Sequence, residues 1–314
     1  MDVKGKVISL INMKGGVGKT TLCREIALYI STYFKKEAEG GTEVPIRVLL
    51  IDVDPQANLT QSLLEKYSKD TKFYTENEAG EKVLEYKCSV DNIFKEDMVG
   101  ADRKRVILNL TKNLDLMPGE LETIFIQRQN NPSTPNKLMD YILEEDLRGE
   151  YDFIFLDCPP TYSVYTEMSF YASDYYFVPA VPDAYSVLGV DLLEKVVKDI
   201  VKAQRNGVFK ERQPRNLGVI WTGVNLTRKP RQADYIEGLK DSDIVMENKI
   251  HIFKSVFGES NKLATAPFEK SIVDRQDKAL DDTINNICNE LMDRIEEMNN
   301  EDPVEKDSIT GVKL

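Results

Sequence analysis

Between an apolar stretch, Lys6-Val7-Ile8-Ser9-Leu10, and a helical pattern that starts at Lys19 lies the run Ile11-Asn12-Met13-Lys14-Gly15-Gly16-Val17-Gly18-Lys19-Thr20-Thr21. Strand, glycine-rich turn and helix in that order leave a chain few folds to choose from. The glycines let the backbone turn back on itself, and the start of the helix leaves N–H groups without intrahelical partners. Several donors and the positive end of the helix dipole therefore converge on one point. Such a point can solvate a polyphosphate. Lys19 is expected to reach the outer phosphates and the Thr20 hydroxyl to ligate Mg²⁺, with Gly15, Gly16, Val17, Gly18 and Thr21 closing the cradle. The usual pattern G-x-x-x-x-G-K-[ST] asks for glycine at position 13. Here Met13 stands there, and an additional lysine, Lys14, precedes the glycine pair.

Further apolar runs predict strands at 6–12, 46–53, 114–117, 152–157, 175–180, 217–224 and 250–257, with a helix over 19–34 and helical patterns between the later strands. Continuously apolar strands alternating with helices predict an α/β fold: a mostly parallel twisted sheet flanked by helices on both faces. Ligands on such sheets sit at the carboxyl ends of the strands. Asp52, Asp54 and Asp157 all fall there. With 314 residues, of which 41% are hydrophobic, one large domain over 1–298 is expected. Residues 35–45 read as a surface connection, 66–102 as a polar insertion with short helices, and 299–314 as a disordered acidic tail.

Lys14-Gly15-Gly16-Val17-Gly18-Lys19-Thr20 resembles the deviant Walker motif of the ParA/MinD family of ATPases. Val48-Leu49-Leu50-Ile51-Asp52-Val53-Asp54-Pro55-Gln56 is similar to the family's second motif. Tyr151-Asp152-Phe153-Ile154-Phe155-Leu156-Asp157-Cys158-Pro159-Pro160 is similar to its Walker B strand and switch. The resemblance runs from about Lys6 to Ile295. It implies ATP and Mg²⁺ as cofactors and a homodimer in the ATP state, in which Lys14 crosses the interface to the partner subunit's nucleotide. It implies that Lys14, Lys19 and Asp54 carry catalysis, Asp54 by orienting the attacking water. Thr20 and Asp157 would then hold the metal and its water shell, with Asp52 supporting the metal from behind. Phosphoryl transfer to water asks mainly for positioning and charge neutralisation, which a carboxylate and two lysines can supply.

The formal net charge is −12 and the pI about 4.9, so the molecule as a whole repels nucleic acid and anionic membranes. A local basic patch could override that. The glycine loop starts too near the N-terminus to leave room for a DNA-reading module ahead of it, so DNA contact is expected from the ATPase domain itself. By resemblance, Arg228, Lys229 and Arg231 match one region of basic contacts, and Lys262, before Leu263-Ala264-Thr265-Ala266-Pro267, matches another. A solvated turn and helix start accounts for the first cluster equally simply. Where the family carries Pro-Arg-Asn this chain has Gly258-Glu259-Ser260, a lost positive charge. Asn225 is a candidate for contacting the adenine ring, or a turn-forming residue.

Cys23, Cys88, Cys158 and Cys288 are scattered without a Cys-x-x-Cys, as expected of reduced thiols in the cytoplasm and not of an iron–sulfur carrier. Cys158 reads as a small buried group, since activating its thiol would need a neighbouring histidine and His251 is the only one. No apolar run is long enough to span a bilayer and no basic amphipathic helix is evident, so no membrane is expected. The reading is of a partition ATPase of the ParA type: nucleoid-associated, binding DNA without sequence preference and segregating a plasmid or other DNA with a ParB-like centromere-binding protein. Two alternatives stay open, a family ATPase positioning a protein cargo and a metabolic enzyme on the same fold.

Overall fold

Period-two alternation along the apolar runs decides the architecture. Val7, Ile154, Leu156, Val178 and Trp221 belong to one buried cluster. Their immediate neighbours Ile8, Phe155, Phe177 and Ile220 belong to another. Successive side chains of a strand point to opposite faces, so two separate cores mean one sheet covered on both sides. The computed structural model describes residues 5–38, 40–67, 74–76, 82–84, 88–94, 102–120, 133–260, 263 and 270–301.

The sheet has eight strands: β1 (Lys6–Leu10), β2 (Val48–Asp52), β3 (Leu108–Asn109), β4 (Leu114–Met117), β5 (Phe153–Asp157), β6 (Tyr175–Ala180), β7 (Arg215–Val224) and β8 (Ile252–Gly258). Their order is β8-β7-β6-β1-β5-β2-β4-β3. Every neighbouring pair is parallel except β3 with β4 at the edge. Helices α1 (Lys19–Tyr33) and α2 (Asn58–Lys66) cover one face together with the long C-terminal helix Lys278–Glu301. The other face carries α3 (Lys137–Glu144), α4 (Leu147–Glu150), α5 (Val164–Ala172), α6 (Ser186–Ala203), α7 (Gln232–Lys240) and α8 (Asp243–Asn248). The C-terminal helix is α9 below.

The predicted strands are all present, trimmed or shifted at their ends by a few residues. The antiparallel β3 was not anticipated, because two residues show no periodicity. Residues 35–45 form a hairpin, Lys35–Glu37 paired with Glu43–Pro45, turning through Gly40 and Gly41 at φ 91° and 75°. Residues 299–301, expected in the tail, are helical: α9 runs to Glu301, where the Tyr175 hydroxyl donates to Asn299 Oδ1 at 2.6 Å and Arg215 donates to the Met298 carbonyl at 2.9 Å. Residues 302–314 lie outside the described residues, as does most of the expected insertion. Within it, a short hairpin at 74–76 and 82–84 is described, and the turn Val90–Ile93 is anchored in the core through Val90.

Candidate functional site

The loop after β1 is held in shape by its own side chains. Asn12 donates to the Pro179 carbonyl at 2.8 Å and accepts the Lys14 N–H at 2.9 Å, which ties the loop to the end of β6. Thr222 of β7 donates to the Val17 carbonyl at 2.7 Å. Gly16 and Gly18 take φ of 72° and 79°, a left-handed conformation that a side chain would strain. Gly18 opens α1 without a side-chain cap. The first N–H groups of the helix therefore point into a cleft of about 490 Å³ that Gly15 to Thr21 line along one side.

Lys19 is 6% exposed, and its ammonium donates to the carbonyls of Asn12 at 3.1 Å and Lys14 at 3.2 Å. Burial lowers its pKa, while Asp157, Cys158 and Asp54 work the other way. Lys14 behaves differently. Its ammonium leaves the cleft and forms an ion pair with Asp183, in the loop before α6, both side chains remaining roughly one-third or more exposed (39% and 33%). It also lies 6.0 Å from the centre of the Tyr185 ring. Burial opposes the charge on Asp183, but Lys14 and the Tyr185 N–H outweigh it and hold the carboxyl below its usual value. The two lysines of the motif thus face different places: one the phosphate cradle, the other the molecular surface beside it.

Asp52 and Asp157 are register partners at the ends of β2 and β5, both fully buried. Asp52 Oδ2 accepts from the Thr60 N–H at 2.8 Å and the Thr60 hydroxyl at 2.7 Å, and that hydroxyl accepts the Gly119 N–H at 2.9 Å. A Cβ at position 119 would come within 2.8 Å of the Asp52 carbonyl oxygen, so only glycine lets the chain leaving β4 pass there. Burial pushes the Asp52 carboxyl up to about 7, against the two Thr60 bonds. Asp157 is also raised, by burial first and by the charge of Asp52 second, while Thr20 and Lys19 favour its charged form. Among the described residues neither oxygen of Asp157, nor Asp52 Oδ1, has a partner in hydrogen-bond geometry. Two buried carboxylates side by side beside Thr20, with three of their four oxygens lacking such a partner, are costly unless a cation compensates them, so this donor set fits a divalent metal. No group of three or more His, Cys, Asp or Glu with metal-holding geometry occurs among the described residues. A hard cation here would take its remaining oxygen ligands from phosphate and water.

Asp54 also lines the cleft, 9% exposed. It is fixed by a tight turn: Oδ1 accepts the Gln56 N–H at 2.9 Å, its carbonyl accepts the Ala57 N–H at 2.8 Å, and Ala57 takes φ 52°. Cys158 is fully buried and its thiol is pushed up to about 12, chiefly by burial, so it supplies no thiolate. Two residues escaped the sequence reading. Arg24, one turn beyond Thr20 on the same side of α1, also lines the cleft, 5% exposed and paired with the buried Glu25 at 2.6 Å. Asp183 was the other. Spacing from Thr20 could have indicated Arg24, whereas nothing local marks Asp183.

The remaining candidates lie elsewhere. Asn225 follows β7, is not among the residues lining the cleft, and holds a turn: its N–H donates to Gln232 at 2.7 Å and its Oδ1 accepts the Arg228 N–H at 3.1 Å. Arg228, Lys229 and Arg231 are exposed on the turn leading into α7. Lys229 is paired at 3.1 Å with Glu259, just past β8. Lys262 lies outside the described residues. Cys23, Cys88, Cys158 and Cys288 are all buried free thiols, and no described helix is long and apolar enough to cross a membrane.

Residues 5–210 match the family model AAA_31, described as an AAA domain. The sporulation initiation inhibitor protein Soj of Bacillus subtilis is 28% identical over 265 residues, covering 84% of this chain and 88% of that protein. Two solved structures share the fold. A Cyanothece McdA variant in complex with ATP superposes with a TM-score of 0.69 at 19% identity over 92% of this chain and 96% of the other. A putative plasmid partition protein from Borrelia burgdorferi bound to AMPPNP gives 0.66 at 23% identity over 93% and 99%.

Proposed function

This chain belongs to the AAA_31 family and is a ParA/MinD-type deviant Walker ATPase, and from that premise we propose that it partitions DNA, pairing through ATP into a homodimer that binds duplex DNA without sequence preference. The observation that carries the reading is the divergence of the two motif lysines. Lys19 is buried in the cradle with the helix N-terminus, as a counter-ion to phosphate must be, while Lys14 reaches out of its own cleft to the surface. A lysine placed so can complete a neighbour's site.

Within one cleft, the loop amides and Lys19 bind and neutralise the phosphates, and Asp54 accepts a hydrogen bond from the attacking water and fixes its direction. Mg²⁺, held by Thr20 and Asp157 with Asp52 behind them, would supply further charge neutralisation when bound. Water is excluded from beneath by the buried ends of β2 and β5. The partner copy's Lys14 would bring the last positive charge, so hydrolysis depends on pairing. Arg228, Lys229, Arg231 and Lys262 are the proposed phosphate contacts to DNA. A ParB-like DNA-bound protein is the proposed stimulator and a plasmid or other mobile DNA the cargo, which places the protein on the nucleoid. Positioning of a protein cargo is the second reading, favoured by the −12 net charge and by Glu259 neutralising part of the basic turn. The test is the ATPase rate with and without a random-sequence duplex: stimulation supports DNA partition, and an unchanged rate favours the protein cargo.

A further inference from the structure

The basic turn and the acid facing it are fixed by separate rigid elements. On the β7 side the turn is closed by the Lys229 N–H donating to the Asn225 carbonyl at 2.8 Å, the Gln232 N–H donating to the Lys229 carbonyl at 3.0 Å, and the Asn225 side chain receiving the Arg228 N–H. On the other side Val224 is in register with Gly258, and the Glu259 N–H extends that ladder by donating to the Val224 carbonyl at 3.0 Å. This sheet edge aims the Glu259 carboxylate at the turn, where the Lys229 ammonium meets it at 3.1 Å. Lys229 first, then Asn225 and the charge of Arg228, hold the Glu259 carboxyl below its usual value. The acid is therefore ionised throughout the physiological range and sits against Lys229, within the field of Arg228.

We propose that Glu259 is an acidic guard on this patch, occupying Lys229 so that it does not contact a phosphate and setting how tightly the paired molecule holds nucleic acid. This rests on the DNA-binding reading above and specifies its strength. The pair is half-exposed, with side chains 52% and 32% accessible, and exposed pairs are weak, so the guard tunes the patch and does not abolish binding. A backbone phosphate competes with Glu259 for the same ammonium. Each phosphate newly neutralised releases a counter-ion and adds about 0.9 to the magnitude of the logarithmic salt slope. Because the competing pair is an exposed one, the gain from removing it is about two- to fivefold in affinity for every subunit engaged.

The experiment is fluorescence anisotropy of a random-sequence duplex with the full chain and AMPPNP across a salt series, for wild type, Glu259→Gln, and Glu259→Gln combined with Lys229→Gln. Nucleotide affinity is measured in parallel. Glu259→Gln should bind about two- to fivefold more tightly per subunit engaged, with a steeper salt slope and unchanged nucleotide affinity, and the added Lys229→Gln should cancel the gain. Equal affinity and slope for wild type and Glu259→Gln would overturn the guard while leaving DNA binding intact, and so would a gain that survives Lys229→Gln. Failure of all three proteins to bind at low salt, with nucleotide affinity intact, would overturn the DNA-binding reading, and the guard with it.

Discussion

Replacing Asp52 by Asn should make the metal-free protein's stability markedly less sensitive to pH. Asp52 is fully buried, faces Asp157 in register, and has its carboxyl raised from 3.8 to about 7. The native state therefore holds a proton there that the unfolded chain releases, and stability is lost as pH rises from about 4 to about 7. The cost is absent below the unfolded value and complete above the folded one. At about 1.4 kcal/mol per tenfold change in proton activity, the full span is on the order of 4 kcal/mol, of which the smaller part is already present at pH 5. Asn removes the charge and keeps an oxygen that accepts both Thr60 bonds. Its amide nitrogen brings a buried donor whose cost does not vary with pH. Guanidinium unfolding in EDTA at pH 5 and pH 8 should show wild type losing about 2–3 kcal/mol more than Asp52→Asn between the two. Parallel pH dependence of the two proteins would refute the argument that these carboxylates are held uncompensated.

Lys19→Ala should abolish productive ATP binding by calorimetry, because the cradle loses its buried counter-ion. Asp54→Ala should keep nucleotide binding and lower the hydrolysis rate by roughly two orders of magnitude or more, the scale for losing a group that positions the nucleophile; a normal single-turnover rate would remove Asp54 from that role. Asp157→Asn should weaken nucleotide binding in Mg²⁺ far more than in EDTA. Arg231→Ala should reduce DNA affinity evenly across sequences and flatten the salt slope by about 0.9 per subunit engaged, without changing ATP affinity.

The phosphate loop and the parallel sheet were legible because each is written in contiguous residues. The run Gly15 to Thr21 lies on one turn, and the apolar runs of β1, β2, β5, β6 and β7 are long enough to show that both of their faces are buried. Contacts between distant segments were not legible. Nothing near Lys14 marks Asp183 as its partner, 169 residues away, and nothing near Lys229 marks Glu259. These pairs arise because β6 emerges beside β1 and β8 beside β7, a consequence of strand order. Asp52 and Asp157 were each expected at strand ends, but their register, which sets their repulsion, appears only once β2 and β5 are aligned. The hairpin at 35–45 left no hydrophobic trace because its strand residues face solvent. The end of α9 was misplaced because two polar contacts, from Tyr175 and Arg215, hold its last turns where composition suggested disorder.

In the proposed function ATP pairs two copies through Lys14. Sedimentation velocity with AMPPNP and Mg²⁺ tests it on wild type and Lys14→Ala, with nucleotide occupancy measured on the same samples. Wild type should sediment as a dimer only with the nucleotide, and Lys14→Ala should bind the nucleotide yet remain a monomer. A Lys14→Ala protein that dimerises like wild type, or a wild-type protein that stays monomeric when saturated, would contradict the account.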